Sequence, residues 1–150
     1  MKLNSKHPWY ILDLVLFGVI NAACLWYARS KLVNFETPTG WHLFLFGLAV
    51  FRGADVISNE KVTQALRAPF IKIEEKDGKD VEVPLEIGFK GALGSLLYCP
   101  SCSGVWVAML LAYVYIFWSS VAAVIIFILA LSGMERVFTL LLNYLKSRTL

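Results

Sequence analysis

Four apolar stretches, each close to bilayer-crossing length, constrain this chain more than any other feature. They cover residues 9–28, 41–57, 103–118 and 121–141. A hydrocarbon core about 30 Å thick takes roughly 20 helical residues, and a helix satisfies its own backbone hydrogen bonds where no water can. Hydrophobic residues make up 58% of the 150, against about 45–50% in soluble domains, and the excess lies in these runs. Most of the five Trp and six Tyr fall near the ends of the runs, where interfacial aromatics sit. The expected fold is an all-α membrane protein. One integral membrane domain over residues 1–150 has four spans and, between the second and third, an insert at about 58–98.

The insert changes character along its length. Ser58 and Asn59 are residues of the helix-capping type and Glu60 suits a first helical turn, so a short amphipathic helix is expected from Glu60 to Ala68, stopped by Pro69. From Phe70 to Val83 the apolar residues Ile71, Ile73, Val81 and Val83 alternate with charged ones around Asp77-Gly78. Asp-Gly between alternating strips predicts a β-hairpin. Gly88 to Tyr98 is glycine-rich and suits a short interfacial helix. Ser119-Ser120 is expected to be a tight turn, and Glu135-Arg136 to interrupt the last span, with helix running on to Lys146. The start of the chain is read as an uncleaved anchor, because its apolar run exceeds the 7–15 residues of a signal peptide.

Charge sets sidedness. The net charge of +3 is small and its basic residues are scattered, which excludes a nucleic-acid surface and leaves the lipid bilayer as the expected partner. Lys2, Lys6, Lys61, Arg67, Lys72, Lys76, Lys79, Lys90, Lys146 and Arg148 share one side of a four-span topology, and only Arg29 and Lys31 lie on the other. Positive residues stay in the cytoplasm. Both termini, the hairpin and the cysteine pair are therefore expected there, in a bacterial cytoplasmic membrane.

Polar groups inside the spans are the first functional candidates. Asp13, Arg52, Asp55, Glu135 and Arg136 fall at similar depth, and Arg52 and Asp55, at i and i+3, share a helix face. They read either as ion pairs that fix helix packing or as a polar pocket that binds or relays a ligand.

Cys99-Pro100-Ser101-Cys102 opens the third span. Proline favours the first helical position, which puts Cys99 near the N-cap, where the helix dipole and free N–H groups lower a thiol pKa. Three readings stay open: a structural role, thiol–disulfide exchange, or a metal site. Zinc wants four ligands, and one pair supplies two. His7 and His42 are poorly placed to complete the set, so zinc would need two copies pooling their cysteines; no other cofactor is expected. Cys24, within the first span, reads as a small buried hydrophobe. Gly88, Gly91, Gly94 and Gly104 lack the Gly-Lys-Ser/Thr of a phosphate loop and suit close helix approach.

From Phe51 to Trp106 the chain resembles a bacterial membrane family known as domain of unknown function 1360, which includes a sporulation-associated membrane protein. The likeness is carried by Arg52, Asp55, Lys61-Val62-Thr63, Leu66-Arg67-Ala68-Pro69-Phe70, Gly91-Ala92-Leu93-Gly94 with Leu97, and Cys99-Pro100-Ser101-Cys102 with Gly104 and Trp106. It implies a small polytopic membrane protein with a cytoplasmic loop and singles out Arg67 and the cysteine pair, without implying a reaction. The leading expectation is a non-enzymatic interaction or scaffold module. Its cytoplasmic face, with Arg67 as a binding residue, would hold a protein partner or a second copy. The alternatives are a thiol–disulfide oxidoreductase using Cys99 and Cys102, a shared metal site, or a transporter-like pocket on Arg52, Asp55 and Glu135.

Overall fold

A computed structural model of the chain describes residues 7–32, 39–76, 79–85 and 88–148. The elements run α1 (His7–Leu32), α2 (Gly40–Asn59), a 3₁₀ turn (Lys61–Thr63), α3 (Gln64–Arg67), a second 3₁₀ turn (Ala68–Phe70), β1 (Ile71–Lys76), β2 (Lys79–Pro84), α4 (Gly88–Leu97), α5 (Pro100–Phe117) and α6 (Ser119–Arg148). Four of the helices (α1, α2, α5 and α6) are long and apolar enough to cross a membrane. The backbone divides into two compact units, one of Met1–Tyr27 with Asp55–Ser103, the other of Ala28–Ala54 with Gly104–Leu150.

Several expected boundaries move, each for a local reason. α2 runs through Ser58 and Asn59, which therefore do not cap the next helix. The amide of Asn59 donates to Asp55 Oδ1 (2.8 Å), and the hydroxyl of Ser58 to that of Ser103 (3.3 Å), so both side chains are already engaged. The single helix expected over 60–68 is a short α-turn between two 3₁₀ turns. The break between α5 and α6 falls at Trp118, and Ser119-Ser120 form the first turn of α6 instead of a connecting turn. α6 is not interrupted at Glu135-Arg136 and extends to Arg148; there Glu135 accepts a hydrogen bond from Thr139 one turn on (2.8 Å).

In the first unit the hairpin forms as two antiparallel strands; its Asp77-Gly78 turn lies outside the described residues. The register pairs Ile71 with Pro84, Lys72 with Val83 and Ile73 with Glu82. Opposed residues project to one face, so Ile71 and Ile73 take one face and Val83 the other. Neither face is wholly apolar, and the sheet leans on its neighbours. At its base Leu85 N–H donates to Phe70 O (3.1 Å), and α4 packs against the Ala68–Phe70 turn and β2. α4 makes this approach with Gly91, Ala92 and Gly94, all buried. A Cβ at Gly94 would run into the carbonyl oxygen of Phe70, a backbone atom that cannot step aside. Gly94→Ala is expected to cost about 1–3 kcal/mol by overpacking and to loosen the hairpin base, read as faster proteolysis within residues 70–85.

The second unit has its core at Ala49, Leu111, Ala122 and Ile126. Phe46 meets Tyr115 edge to face, with centroids 5.3 Å apart. Small residues allow close helix approach here: a Cβ on Gly53 would lie 2.8 Å from Val107 Cγ1, and one on Gly133 2.7 Å from Leu48 O. A cavity of about 620 Å³ in this unit is lined by Phe46, Tyr115 and Phe127, with His42 and two serines as its polar members.

Candidate functional site: a thiol pair and a capped helix end

The cysteine pair is built by the start of α5. Pro100 occupies the first helical position, its ring pre-setting the backbone angle and its missing N–H costing nothing there. Ser103 N–H donates back to Cys99 O (2.9 Å), and Ser103 Oγ donates to Leu96 O at the end of α4 (3.0 Å), which holds the preceding turn. The three donors around Cys99 converge on its sulfur. The Cys102 thiol donates to it at 2.7 Å, the Ser101 hydroxyl lies at 3.2 Å, and the Cys102 N–H donates at 3.4 Å. Donors aimed at a sulfur favour its charged form. The Cys102 thiol, then the Ser101 hydroxyl, then the Cys102 N–H bring the Cys99 thiol down to about 7, from an ordinary value of about 8.5. Cys99 is half-buried, Cys102 is exposed, and both are free thiols. The spacing is that of a dithiol pair, with no disulfide joining it.

Among the described residues no group of three or more His, Cys, Asp and Glu could hold a metal ion. The pair offers two sulfurs of the four a tetrahedral zinc requires. His7's side chain lies outside the described residues, and the Thr39 hydroxyl meets His42 Nδ1 at 2.6 Å. Cys24 is half-buried in α1.

Arg67 has a different place from the one expected. It is only 4% exposed, turned inward onto the end of α2. Its Nη1 donates to Ile57 O (3.0 Å) and its Nη2 to Glu60 O (3.2 Å). The hydroxyl of Thr63 donates to Glu60 O (3.0 Å) and lies against the carbonyls of Val56 and Ile57. The last carbonyls of a helix have no intrahelical partner, and a cation there also meets the negative end of the helix dipole. Arg67 and Thr63 together form a cap on α2. A residue so enclosed does not present its guanidinium on an open binding face. The reason lies in the first 3₁₀ turn and α3 together, along which Thr63 and Arg67 are buried and Val62 and Leu66 exposed.

The polar residues of the long apolar helices are divided between the two units. Asp13 and Asp55 are buried in the first. In the second, Arg52 Nε donates to Ser132 Oγ (2.8 Å), joining α2 to α6 one turn before Arg136. Arg136 is half-buried and Glu135 exposed. Ser132 was missed from sequence alone, and Ser101 was named within the cysteine motif without a role. Serine next to Gly133 was the available signal for the first, and serine between two cysteines for the second.

Four helices long and apolar enough to cross a membrane, a two-stranded hairpin between the second and third of them, and a pair of free thiols at the start of α5 are the features that define this class of chain. The chain belongs to the DUF1360 family, described as a protein of unknown function, whose model matches residues 45–142. It is 32% identical over 90 residues to UPF0713 protein YngL of Bacillus subtilis (strain 168), covering 60% of this chain and 69% of that one. It is 31% identical over 111 residues to sporulation protein YjcA of the same organism, covering 69% and 92%. No solved structure matches it.

Proposed function

We propose that this protein sits in a bacterial cytoplasmic membrane, with four spans and with both termini and the insert in the cytoplasm, and exchanges thiols for disulfides with a partner protein. The membrane setting is supported by the large apolar side chains left exposed along the spans, Leu14, Trp26, Leu43, Val105, Ile128 and Leu142 among them, since soluble monomers rarely expose contiguous apolar patches beyond a few hundred Å². Relatives in Bacillus subtilis fit a bacterial membrane, and the positive residues of the insert favour the cytoplasm. A cytoplasmic dithiol is kept reduced, so the pair acts as the reductant.

One observation carries the chemistry: three donors converge on Cys99 Sγ, and its neighbour Cys102 stands in reach and open to solvent. The Cys99 thiolate attacks one sulfur of a partner disulfide. A Cys99–partner S–S bond forms, the partner's own S–S bond breaks, and the departing sulfur takes a proton from solvent. Cys102 then gives its proton to solvent and attacks Cys99 Sγ. The Cys99–Cys102 disulfide forms and the second partner sulfur leaves as a thiol, so two electrons pass from the pair to the partner. The alternative of a protein-binding face centred on Arg67 loses support from the burial of that residue.

In a Cys24→Ser background, alkylation of Cys99 is expected to reach half its maximal rate near pH 7, falling about tenfold per unit below that as the thiolate is lost. Cys102→Ser is expected to accumulate a mixed disulfide on non-reducing gels, and Cys99→Ser to form none. A half-point near the ordinary thiol value of about 8.5 overturns the reading. So does stoichiometric zinc in gently purified protein, which would assign the pair to a four-cysteine site shared by two copies.

A further inference from the structure

The turn after α2 has its polarity inside out. Thr63 and Arg67 are buried, while Val62 and Leu66, four residues apart and so neighbours on the same face, are 86% and 70% exposed. In water this arrangement leaves apolar surface exposed that burial would stabilise. Resting on the membrane placement proposed above, we infer that Val62 and Leu66 lie in the headgroup–acyl boundary of the bilayer, making the first turns of the insert a membrane-surface element.

Two ties fix its depth. Arg67 and Thr63 hold the turn to the last carbonyls of α2, and α2 is long and apolar enough to span. Its terminal turn therefore stands where hydrocarbon gives way to headgroups, and the capping residues are one side chain away from it. Farther along the insert, Phe89 of α4 meets Trp9 of α1 edge to face, with centroids 6.3 Å apart. Trp9 lies at the start of the first apolar run, a position typical of interfacial aromatics. Exposed Lys61 beside Val62, and exposed Lys90 beside Phe89, suit a surface of anionic headgroups, because a lysine stem can cover apolar groups while its ammonium reaches phosphate. Lipid is continuous with the surface of α2, and these cations match it.

A photoreactive diazirine amino acid placed at position 62 or 66 of the full chain, in phosphatidylethanolamine–phosphatidylglycerol vesicles, tests this. Mass spectrometry after irradiation should find lipid adducts as the main product at both positions, several-fold above the same probe at Glu75, an exposed position of β1. Predominant reaction with water at 62 and 66 overturns the inference. So does predominant crosslinking to a second copy of the chain, which would place a protein on this face instead.

Discussion

Arg67→Ala is expected to destabilise the protein by about 3 kcal/mol or more, because it removes two hydrogen bonds from a charged donor, each contributing about 1.5–3 kcal/mol. It leaves the carbonyls of Ile57 and Glu60 short of a donor at the negative end of the α2 dipole. Arg67→Lys should recover part of the loss, since one ammonium supplies charge but lacks the planar fork that spans two carbonyls. The measurement is denaturant unfolding in detergent, alongside hydrogen exchange of residues 56–67. Faster exchange should appear first at the end of α2. Unfolding unchanged to within about 0.5 kcal/mol, the range of an ordinary surface substitution, would show that the capping contacts contribute little.

Gly133→Leu is expected to be at least as damaging, though it replaces glycine with a strong helix former. An added Cβ would sit 2.7 Å from Leu48 O and 3.4 Å from Arg52 Cβ. The backbone oxygen cannot give way, so α2 and α6 must separate, and the bond from Arg52 Nε to Ser132 Oγ is lost with the approach. Overpacking alone is worth about 1–3 kcal/mol, and the side chain beyond Cβ adds to it. Gly18→Ala and Gly47→Ala supply the contrast, since nothing lies within 4 Å of a Cβ at either. There the entropic cost of glycine dominates and a gain of about 0.5–1 kcal/mol is expected. Midpoints of unfolding for the three variants in one detergent separate the effects. A Gly133→Leu midpoint equal to that of the parent chain would remove close backbone approach as a source of stability.

The parts of the fold that depend on local pattern were readable in advance. Spanning length, the Pro100 helix start, the two strands around Asp77-Gly78 and the placement of Cys99 at the head of α5 each need only neighbouring residues. Family membership was also legible, in the spacing of Arg67, Gly94 and the cysteines. What could not be read was the direction in which side chains face. Arg67 looked like a surface cation because arginine usually is one, and its target, the carbonyls of a helix end, has no signature in residue type. The alternation of Ile71, Ile73, Val81 and Val83 with charged residues announced the two strands but not their register, which pairs odd positions with even ones and puts Ile73 opposite Glu82.

The sequence by itself determined that this chain makes apolar helices of membrane length, a hairpin between them and a dithiol at a helix start, because hydropathy, proline geometry and turn chemistry act over a few residues. Only the tertiary structure decided that Arg67 closes α2, that Ser132 receives Arg52, and that Val62 and Leu66 face outward. Those outcomes depend on which backbone carbonyls and small residues come within a few ångströms of one another, and that is settled by packing between segments distant along the chain.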